Sequence, residues 1–366
     1  MKFKALHPSE HTFTFKSADE IVAFAQENNM RVHGHTLIWS KVNPPWVKEF
    51  KGDKTAWKNL LKNHIQTIVI LNNKTALHKD LAAIRELVDY SNSFPTLLPT
   101  SNKTRDNYPH NLFKQALQQG RAQIGIWSSL PSPYVSELVA GAGYDWMLLD
   151  TEHAPTDIPQ MLQQLQAAAA ARPAGGAATA AVVRPAWNDP VMIKRFLDLG
   201  AQTLLIPFVQ NAREAQAAVA ATRYPPRGMR GMGGATRASH FGRDADYVLH
   251  AHEQTCVLVQ VETSAALAEI EAIAAVEGVD GIFIGPSDLS ASMGHPGNHK
   301  HPEVEAAIRD ALVRIRACGK APGILMADPE RARAYLELGA QFVAVALDLV
   351  LLRQGLDTAL AAFKPR

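Results

Sequence analysis

The chain has 366 residues, which is enough for two domains or for one large domain with an appendage. Its composition, 47% hydrophobic and 20% charged, excludes global disorder, and a formal net charge of +2 excludes the overall basic character of a nucleic-acid coat. Two cysteines exclude a disulfide framework, and no run of about 18 apolar residues or signal-peptide core occurs. We therefore expect a cytoplasmic enzyme with no nucleic-acid or membrane partner.

The first part of the chain differs in composition from the rest. Residues 1–109 contain 12 lysines and 8 alanines, whereas residues 110–366 contain 5 lysines and 48 alanines. This difference indicates two stretches of different origin joined in one chain. Residues 91–108 are rich in Ser, Thr, Asn and Pro, which is typical of a connecting segment, and residues 77–90 are a candidate amphipathic helix.

Eight apolar runs of strand length follow one another in residues 110–366, with helix-length segments between them. They lie near 124–128, 146–150, 180–184, 203–207, 256–261, 281–285, 322–326 and 342–347. Eight such units in about 250 residues predict an α/β fold of the (β/α)₈, or TIM-barrel, type. A doubly wound sheet is the alternative, but it requires a glycine-rich turn after the first strand. The sequence has Ser128-Ser129-Leu130-Pro131 there.

Polar residues stand at the C-terminal ends of several predicted strands, where a barrel carries its catalytic groups. Four of them have chemically useful side chains: His153, Arg184, Glu262 and Asp288. The two carboxylates are suitable ligands for a divalent cation. The histidine can transfer protons near neutral pH, and the arginine can stabilise an oxyanion. We expect these groups to meet at one rim of the barrel.

Each of these residues also has a purely structural interpretation. A strand-end acid such as Glu262 can cap a helix or form an ion pair, and a single histidine is more often structural than catalytic. Arg184 has two candidate ion-pair partners, Glu152 and Glu262. Glu152 is either a third metal ligand or a loop contact. The conjunction of four such groups on one rim favours the catalytic interpretation.

The distribution of lysine excludes one class of carbonyl chemistry. Enzymes that break carbon–carbon bonds next to a carbonyl often use a lysine Schiff base. Residues 110–366 contain five lysines, and none stands at the C-terminal end of a predicted strand: Lys114, Lys194, Lys300, Lys320 and Lys364. A carbanion formed here therefore requires a metal ion as its electron sink.

Several motifs in residues 110–363 resemble the HpcH/HpaI aldolase family of metal-dependent, class II pyruvate aldolases. They include LLDTEHAPTD (148–157), VVRPAWNDP (182–190), VQVET (259–263) and VEGVDGIFIGPSDLSASMG (276–294). The resemblance implies a hexameric (β/α)₈ carbon–carbon lyase of aromatic catabolism that uses Mg²⁺, Mn²⁺ or Co²⁺. The implied reaction cleaves a 4-hydroxy-2-oxo acid, such as 4-hydroxy-2-oxoheptanedioate, to pyruvate and an aldehyde (succinate semialdehyde) through a metal-stabilised pyruvate enolate.

The resemblance also implies roles for individual residues. They are Glu262 and Asp288 as metal ligands, His153 as proton acceptor, Arg184 as transition-state stabiliser, and Gln260, Ser287 and Asp288 as substrate contacts. The motif FLDLGAQTLL assigns to Asp198 the role of raising the basicity of the histidine. Its place near the start of a strand, far from the rim, favours Asp150 for that role instead, and both remain open. Thr151 replaces a glycine common in the family, which we expect to affect rate more than reaction type.

Residues 2–69 resemble a different family, the family 10 glycoside hydrolases, through MKFKALHPSEHTFTFKSADEIVAFAQENNMRVHGHTLIW. This stretch corresponds to about two βα units, which are too few to close a barrel. The two catalytic glutamates of that family lie on later strands and have no counterpart here, and Ser40 replaces a usual histidine. We interpret residues 1–69 as an inert, truncated fragment, 70–109 as a connector and 110–366 as the aldolase-like barrel.

Two other functions remain open on the sequence. One is a CoA-ester lyase of the citramalyl or malyl type, which belongs to the same superfamily and requires a nucleotide pocket. The other is a carbohydrate-binding or structural module built on the glycoside-hydrolase-like fragment, whose Trp39, Trp46 and Trp57 suit sugar binding or an incomplete core equally. The strand-end residues favour the aldolase, acting on a small-molecule 2-oxo acid as a homo-oligomer.

Overall fold

A computed structural model describes residues 110–173 and 178–364 of the chain. The chain divides into two units, Met1–Asn102 and Lys103–Arg366, and the described residues belong to the second. The expectations for the glycoside-hydrolase-like fragment, the connector and its candidate helix therefore lie outside the described residues.

Eight parallel strands close into a barrel in the order of the chain. They are β1 Gln123–Ser128, β2 Trp146–Asp150, β3 Ala180–Arg184, β4 Thr203–Ile206, β5 Cys256–Val261, β6 Gly281–Ile284, β7 Ala321–Leu325 and β8 Phe342–Leu347. The predicted (β/α)₈ barrel is confirmed. The doubly wound alternative is wrong, because its sheet is open whereas β1 pairs with β8 here.

One helix precedes β1, one or two helices connect each pair of successive strands, and one helix follows β8. They are α1 Leu112–Gln118, α2 Pro133–Ala140, α3 Ile158–Ala170, α4 Pro190–Asp198, α5 Ala212–Thr222, α6 Tyr247–Gln254, α7 Ser264–Leu267, α8 Ile270–Ala274, α9 Pro286–Ser292, α10 Pro302–Ala317, α11 Pro329–Glu337 and α12 Asp348–Ala361. Several begin with a side-chain cap followed by proline, as where Asp189 accepts the N–H groups of Val191 and Met192. Within the described ranges, no helix has the length and apolar character needed to span a bilayer.

Large aromatic side chains fill the inside of the barrel. The ring of Phe342 packs there against Trp146 and Phe283, with centroids 6.0 and 5.9 Å away, respectively. Phe113 of α1 adds a ring 5.9 Å from that of Trp146. Gly125 makes room for this core, because a Cβ atom there would lie 2.1 Å from the Trp146 ring. A second apolar layer separates the strands from the helices. Since both faces of every strand are buried, polar groups emerge where the strands end.

Candidate active site

Arg184, the last residue of β3, is buried and held in a fixed orientation at the rim. Its Nε and Nη2 atoms donate to Oδ1 and Oδ2 of Asp150 at 2.9 and 2.7 Å, and Nη1 lies 2.9 Å from Oε2 of Glu152. The guanidinium carbon lies 4.5 Å from the centre of the Trp127 ring. The alternative ion pair with Glu152 therefore exists, but the bidentate partner is Asp150. Such a pair fixes the plane of the guanidinium group.

The carboxylate of Asp150 is fully engaged in this arrangement. Besides Arg184, it accepts the indole N–H of Trp127 at 3.3 Å and the backbone N–H of Glu152 at 3.0 Å. Burial opposes ionisation of Asp150, but the hydrogen bonds and charge of Arg184 outweigh it and lower the pKa. Asp150 thus remains an anion that positions Arg184.

His153 lies at the same rim and is open to solvent. Its side chain is 67% exposed, and its Nε2 atom is 4.0 Å from Oε1 of Glu152. Burial raises the pKa of Glu152 against the attraction of Arg184. Thr151 joins the two strand ends, since its hydroxyl donates to the carbonyl of Arg184 at 2.6 Å. The loop therefore presents the accessible imidazole of His153 beside the buried guanidinium of Arg184 and the half-buried carboxyl group of Glu152.

Glu262 follows β5 and is buried at the centre of the rim, with 2% of its surface exposed. One oxygen accepts the backbone N–H of Phe208 at 3.0 Å, and the other accepts Nε2 of Gln260 at 2.5 Å. Burial raises the pKa of Glu262 to about 7, Gln260 opposes the rise, and the charges of Asp288 and Glu152 add to it. A nearby cation would reverse this effect.

Asp288 and Ser287 stand exposed in the first turn of α9, beside this buried acid. The charge of Asp288 acts on both Glu262 and Glu152, so three carboxyl groups share one region. The side-chain oxygen of Gln260 is buried there without a hydrogen-bond donor. A set of carboxylate and amide oxygens fits a hard divalent cation such as Mg²⁺ or Mn²⁺.

Two residues that sequence reasoning missed hold Glu262 in place. A Cβ atom at Gly285 would lie 2.5 Å from Oε2 of Glu262 and 3.1 Å from Nε2 of Gln260, so only glycine leaves space there. Phe208 has a left-handed backbone (φ 53°), which directs its N–H to Glu262, and its ring stacks on Trp187 at 5.5 Å. The position of Gly285 just before Pro-Ser-Asp was the available signal, whereas nothing in the sequence indicates the conformation of Phe208.

Asp348 is a further buried acid at the rim that sequence reasoning missed. It accepts the hydroxyl of Ser128 at 2.8 Å and the backbone N–H groups of Ser129 and Leu130, each at 3.0 Å. These bonds join the end of β8 to the loop after β1. Its place directly after a predicted strand was the signal that could have found it.

Asp198 alone among the candidate residues lies away from the rim. It is the last residue of α4, and because barrel helices run antiparallel to the strands, this end of α4 is at the opposite face. Its Oδ1 atom accepts Nη2 of Arg230 at 2.7 Å. Arg230 is fully buried, with its guanidinium 4.4 Å from the Tyr224 ring and 5.8 Å from the Tyr247 ring.

Comparison with known proteins gives two family matches in different parts of the chain. The model of the HpcH/HpaI aldolase/citrate lyase family matches residues 123–355, and that of glycosyl hydrolase family 10 matches residues 1–94. The second match reaches beyond residues 2–69, the stretch on which the sequence resemblance rests.

Relatives of the barrel are matched over nearly their full length. A 4-hydroxy-2-oxo-heptane-1,7-dioate aldolase of Klebsiella pneumoniae subsp. pneumoniae is 57% identical over 257 residues, which are 69% of this chain and 94% of the relative. A solved HpcH/HpaI aldolase/citrate lyase family protein from Burkholderia cenocepacia J2315 is 40% identical, with a TM-score of 0.66 and 69% and 98% of the two chains covered. A solved HpcH/HpaI aldolase from Desulfitobacterium hafniense DCB-2 is 28% identical, with a TM-score of 0.62. The match covers 69% of this chain and 96% of that one. The chain belongs to the HpcH/HpaI aldolase/citrate lyase family.

Proposed function

We propose that residues 110–364 are an aldolase that cleaves 4-hydroxy-2-oxo acids to pyruvate and an aldehyde, with 4-hydroxy-2-oxoheptanedioate as the first substrate to test. Family membership makes the barrel a carbon–carbon lyase, and the name of the relative at 57% identity supports the substrate. The observation that carries the proposal is the oxygen-rich group around Glu262 and Asp288 beside a fixed Arg184. That arrangement suits a reaction in which negative charge develops on a 2-oxo acid.

We propose that Glu262 and Asp288 hold a divalent cation, Mg²⁺, Mn²⁺ or Co²⁺. The charge of Asp288 near the buried carboxylate of Glu262 and the side-chain oxygen of Gln260, which accepts no hydrogen bond, support this assignment, since they offer oxygen ligands to a cation. An ion bound there supplies Lewis-acid polarisation of the substrate's 2-oxo group.

The remaining chemistry falls to residues of the rim. The exposed imidazole of His153 takes the proton of the 4-hydroxyl, directly or through a water, as the C3–C4 bond breaks. The electron pair of that bond passes to the pyruvate fragment. The oxygen of its 2-oxo group accepts a hydrogen bond from an N–H group of Arg184. Gln260 and Ser287 orient the substrate, and Asp150 keeps the guanidinium group in place.

A pyruvate-release assay across aldol acids, with and without chelator, tests the aldolase. We expect EDTA to abolish release and Mg²⁺, Mn²⁺ or Co²⁺ to restore it. Asp288→Asn should remove activity, whereas Asp310→Asn, which alters an exposed acid of α10, should not. An irreversible lysine adduct formed with borohydride and pyruvate would contradict the mechanism. Cleavage of malyl- or citramalyl-CoA to acetyl-CoA, with no pyruvate released from the 4-hydroxy-2-oxo acids, would support the CoA-ester lyase instead.

We propose that α12 binds a second copy of the chain within a homo-oligomer, a hexamer by resemblance. Beyond Asp348, the helix is exposed on nearly every side, including five leucines: Leu349, Leu351, Leu352, Leu356 and Leu360. The last helix of a barrel normally packs beside the helix that follows β1. On that helix, α2, Tyr134 is 82% exposed and Leu138 is 72% exposed. Exposed apolar surface of this extent is typical of an interface.

Sedimentation of the full chain tests this interface. Leu352→Glu combined with Leu356→Glu should dissociate the oligomer, and Gln354→Glu on the same helix should not. A monomeric wild-type chain, or an oligomer that tolerates the double variant, would contradict the proposal.

We propose that Asp198 acts on His153 of another copy. Within one chain the two residues lie at opposite ends of the barrel, so the role that the family resemblance gives Asp198 requires a neighbouring subunit. Arg230 fixes the carboxylate of Asp198 on the face where such a contact would form.

We propose that residues 1–109 take no part in the reaction. All the rim residues lie between Trp127 and Asp348, and the aldolase family match begins at residue 123. Removal of residues 1–109 keeps Asn111, which caps α1 and donates to Thr203 Oγ1 at 2.9 Å. We expect this deletion to retain pyruvate release and metal dependence, and neither form to hydrolyse xylan. Loss of activity in a well-folded deletion variant would make the first part of the chain necessary.

A further inference from the structure

Three side chains with metal-binding atoms lie together outside the catalytic rim group. His295 comes soon after the end of α9, and His301 and Glu303 lie at the start of α10. One ligand atom from each lies within 4.8 Å of the other two. In the part of the chain that the structure describes, this is the one such cluster of His, Cys, Asp or Glu.

The distances within the cluster are close to those between the ligands of one metal ion, and His295 and Glu303 are already within hydrogen-bond distance of each other. Nε2 of His295 is 2.9 Å from Oε2 of Glu303, and Nδ1 of His301 is 4.0 Å from the same oxygen. Ligands about 2.0–2.1 Å from a tetrahedral zinc ion lie about 3.3 Å apart, a value between these two distances. The side chain of Glu303 is 71% exposed and free to make the small adjustment required.

The two histidines lie face to face at one end of α10. Their rings stack with centroids 3.5 Å apart and planes 14° from parallel. Nδ1 of His301 lies 3.3 Å from the backbone nitrogen of Glu303, so the ring also stands at the helix cap. Imidazole nitrogens are common ligands of Zn²⁺.

We propose that His295, His301 and Glu303 form a second metal site, specific for Zn²⁺ and similar borderline ions. Two imidazole nitrogens and one carboxylate select Zn²⁺, Ni²⁺ or Cu²⁺, whereas the oxygen set of Glu262 and Asp288 selects Mg²⁺ or Mn²⁺. Binding ties the segment after α9 to the start of α10, and it replaces the long cap hydrogen bond of His301. The site is independent of the aldol reaction.

Calorimetric titration of the full-length, metal-free protein with Zn²⁺ tests the site. A Glu262→Gln/Asp288→Asn background removes the oxygen set, so that any zinc bound to the described residues reports on the histidine cluster. We expect His295→Ala in this background to lose one equivalent of Zn²⁺ per chain. His301→Asn, which keeps a capping side chain on α10, should lose the same equivalent. His299→Ala is the matched control, because it changes a histidine of the same loop that lies outside the cluster.

Thermal unfolding provides a second readout that does not depend on catalysis. Saturating Zn²⁺ should raise the melting temperature of the background protein and of its His299→Ala form, but not that of its His295→Ala form. Mg²⁺ should raise none of them. The proposal is overturned if His295→Ala leaves zinc binding unchanged, or if His299→Ala reduces binding as much as His295→Ala does.

Discussion

Replacement of Glu262 by glutamine should stabilise the metal-free protein above neutral pH while it abolishes activity. Among the described residues, the hydrogen-bond donors to the buried carboxylate are both neutral, the N–H of Phe208 and the amide of Gln260. The carboxylate also lies near the negative charges of Glu152 and Asp288. A glutamine amide removes the buried charge. The new side-chain NH₂ group has an acceptor available. Rotation of the Gln260 amide by about 180° turns its Oε1 atom, which accepts no hydrogen bond in the wild type, toward residue 262.

The size of the effect follows from the pKa of Glu262, which folding raises from 4.5 to about 7. The folded protein therefore holds this proton more tightly than the unfolded chain does. Ionisation begins to cost stability above pH 4.5, the cost grows until about pH 7, and it is constant beyond. At about 1.4 kcal/mol per pKa unit, the cost is about 1 kcal/mol at pH 5 and about 3 kcal/mol at pH 8.

Urea unfolding in EDTA at pH 5 and pH 8 measures this difference. Glu262→Gln should exceed the wild type by about 1 and about 3 kcal/mol, respectively, and Mn²⁺ should stabilise the wild type alone. Glu271→Gln is the control: its hydrogen bonds with Arg314 lower the pKa of Glu271 to about 2, so its removal should bring no gain. A stability advantage of Glu262→Gln that is equal at both pH values, or absent at pH 8, would refute the assigned cost of ionising Glu262.

Two further substitutions examine the supports of the site. Arg184→Lys keeps the positive charge but loses the planar guanidinium group and its parallel N–H donors, so turnover should fall about 10²-fold or more. Loss of the buried bidentate pair with Asp150 should lower the free energy of unfolding by about 1–3 kcal/mol, measured by thermal unfolding. Unchanged turnover would remove Arg184 from the reaction. Gly285→Ala should weaken metal binding and pyruvate release together, because its Cβ would displace Glu262. Gly234→Ala, where a Cβ meets open space, should leave both unchanged, and equal losses in the two variants would show a general effect of alanine.

The barrel and its catalytic rim were predictable because parallel topology simplifies the problem. Strands buried on both faces appear in the sequence as continuous apolar runs, as in β5, Cys256–Val261. All eight predicted strands agree with the structure to within one residue at each end. Because their C-terminal ends meet at one face, residues distant in sequence, such as Arg184 and Glu262, could be assigned to one rim before any contact was known.

The contacts within the rim depend on details that a pattern of residue types does not contain. The sequence offered Glu152 and Glu262 as partners of Arg184, but the bidentate partner is Asp150, because the register of β2 and β3 places it directly opposite Arg184. Likewise, the requirement for glycine at position 285 comes from the location of the Glu262 side chain in the folded barrel, which the sequence does not specify. Strand register and close packing are tertiary properties, and they decide which of several acids holds the arginine and which is available to a metal.

The position of Asp198 at the face opposite the rim makes its proposed role depend on quaternary structure. Mixing of subunits tests whether Asp198 acts on His153 of a neighbour. If Asp198 serves His153 of a neighbour, His153→Ala and Asp198→Asn are each impaired, but mixed oligomers contain sites with both residues intact. Random mixing of equal amounts should restore about one quarter of the sites. The asparagine keeps an acceptor for Arg230, so the fold is preserved. Mixing His153→Ala with Glu262→Gln is the control, because both residues stand on the rim of one barrel and no complete site can form. Mixed oligomers of the first pair that remain as inactive as the separate variants would mean that Asp198 does not act between subunits.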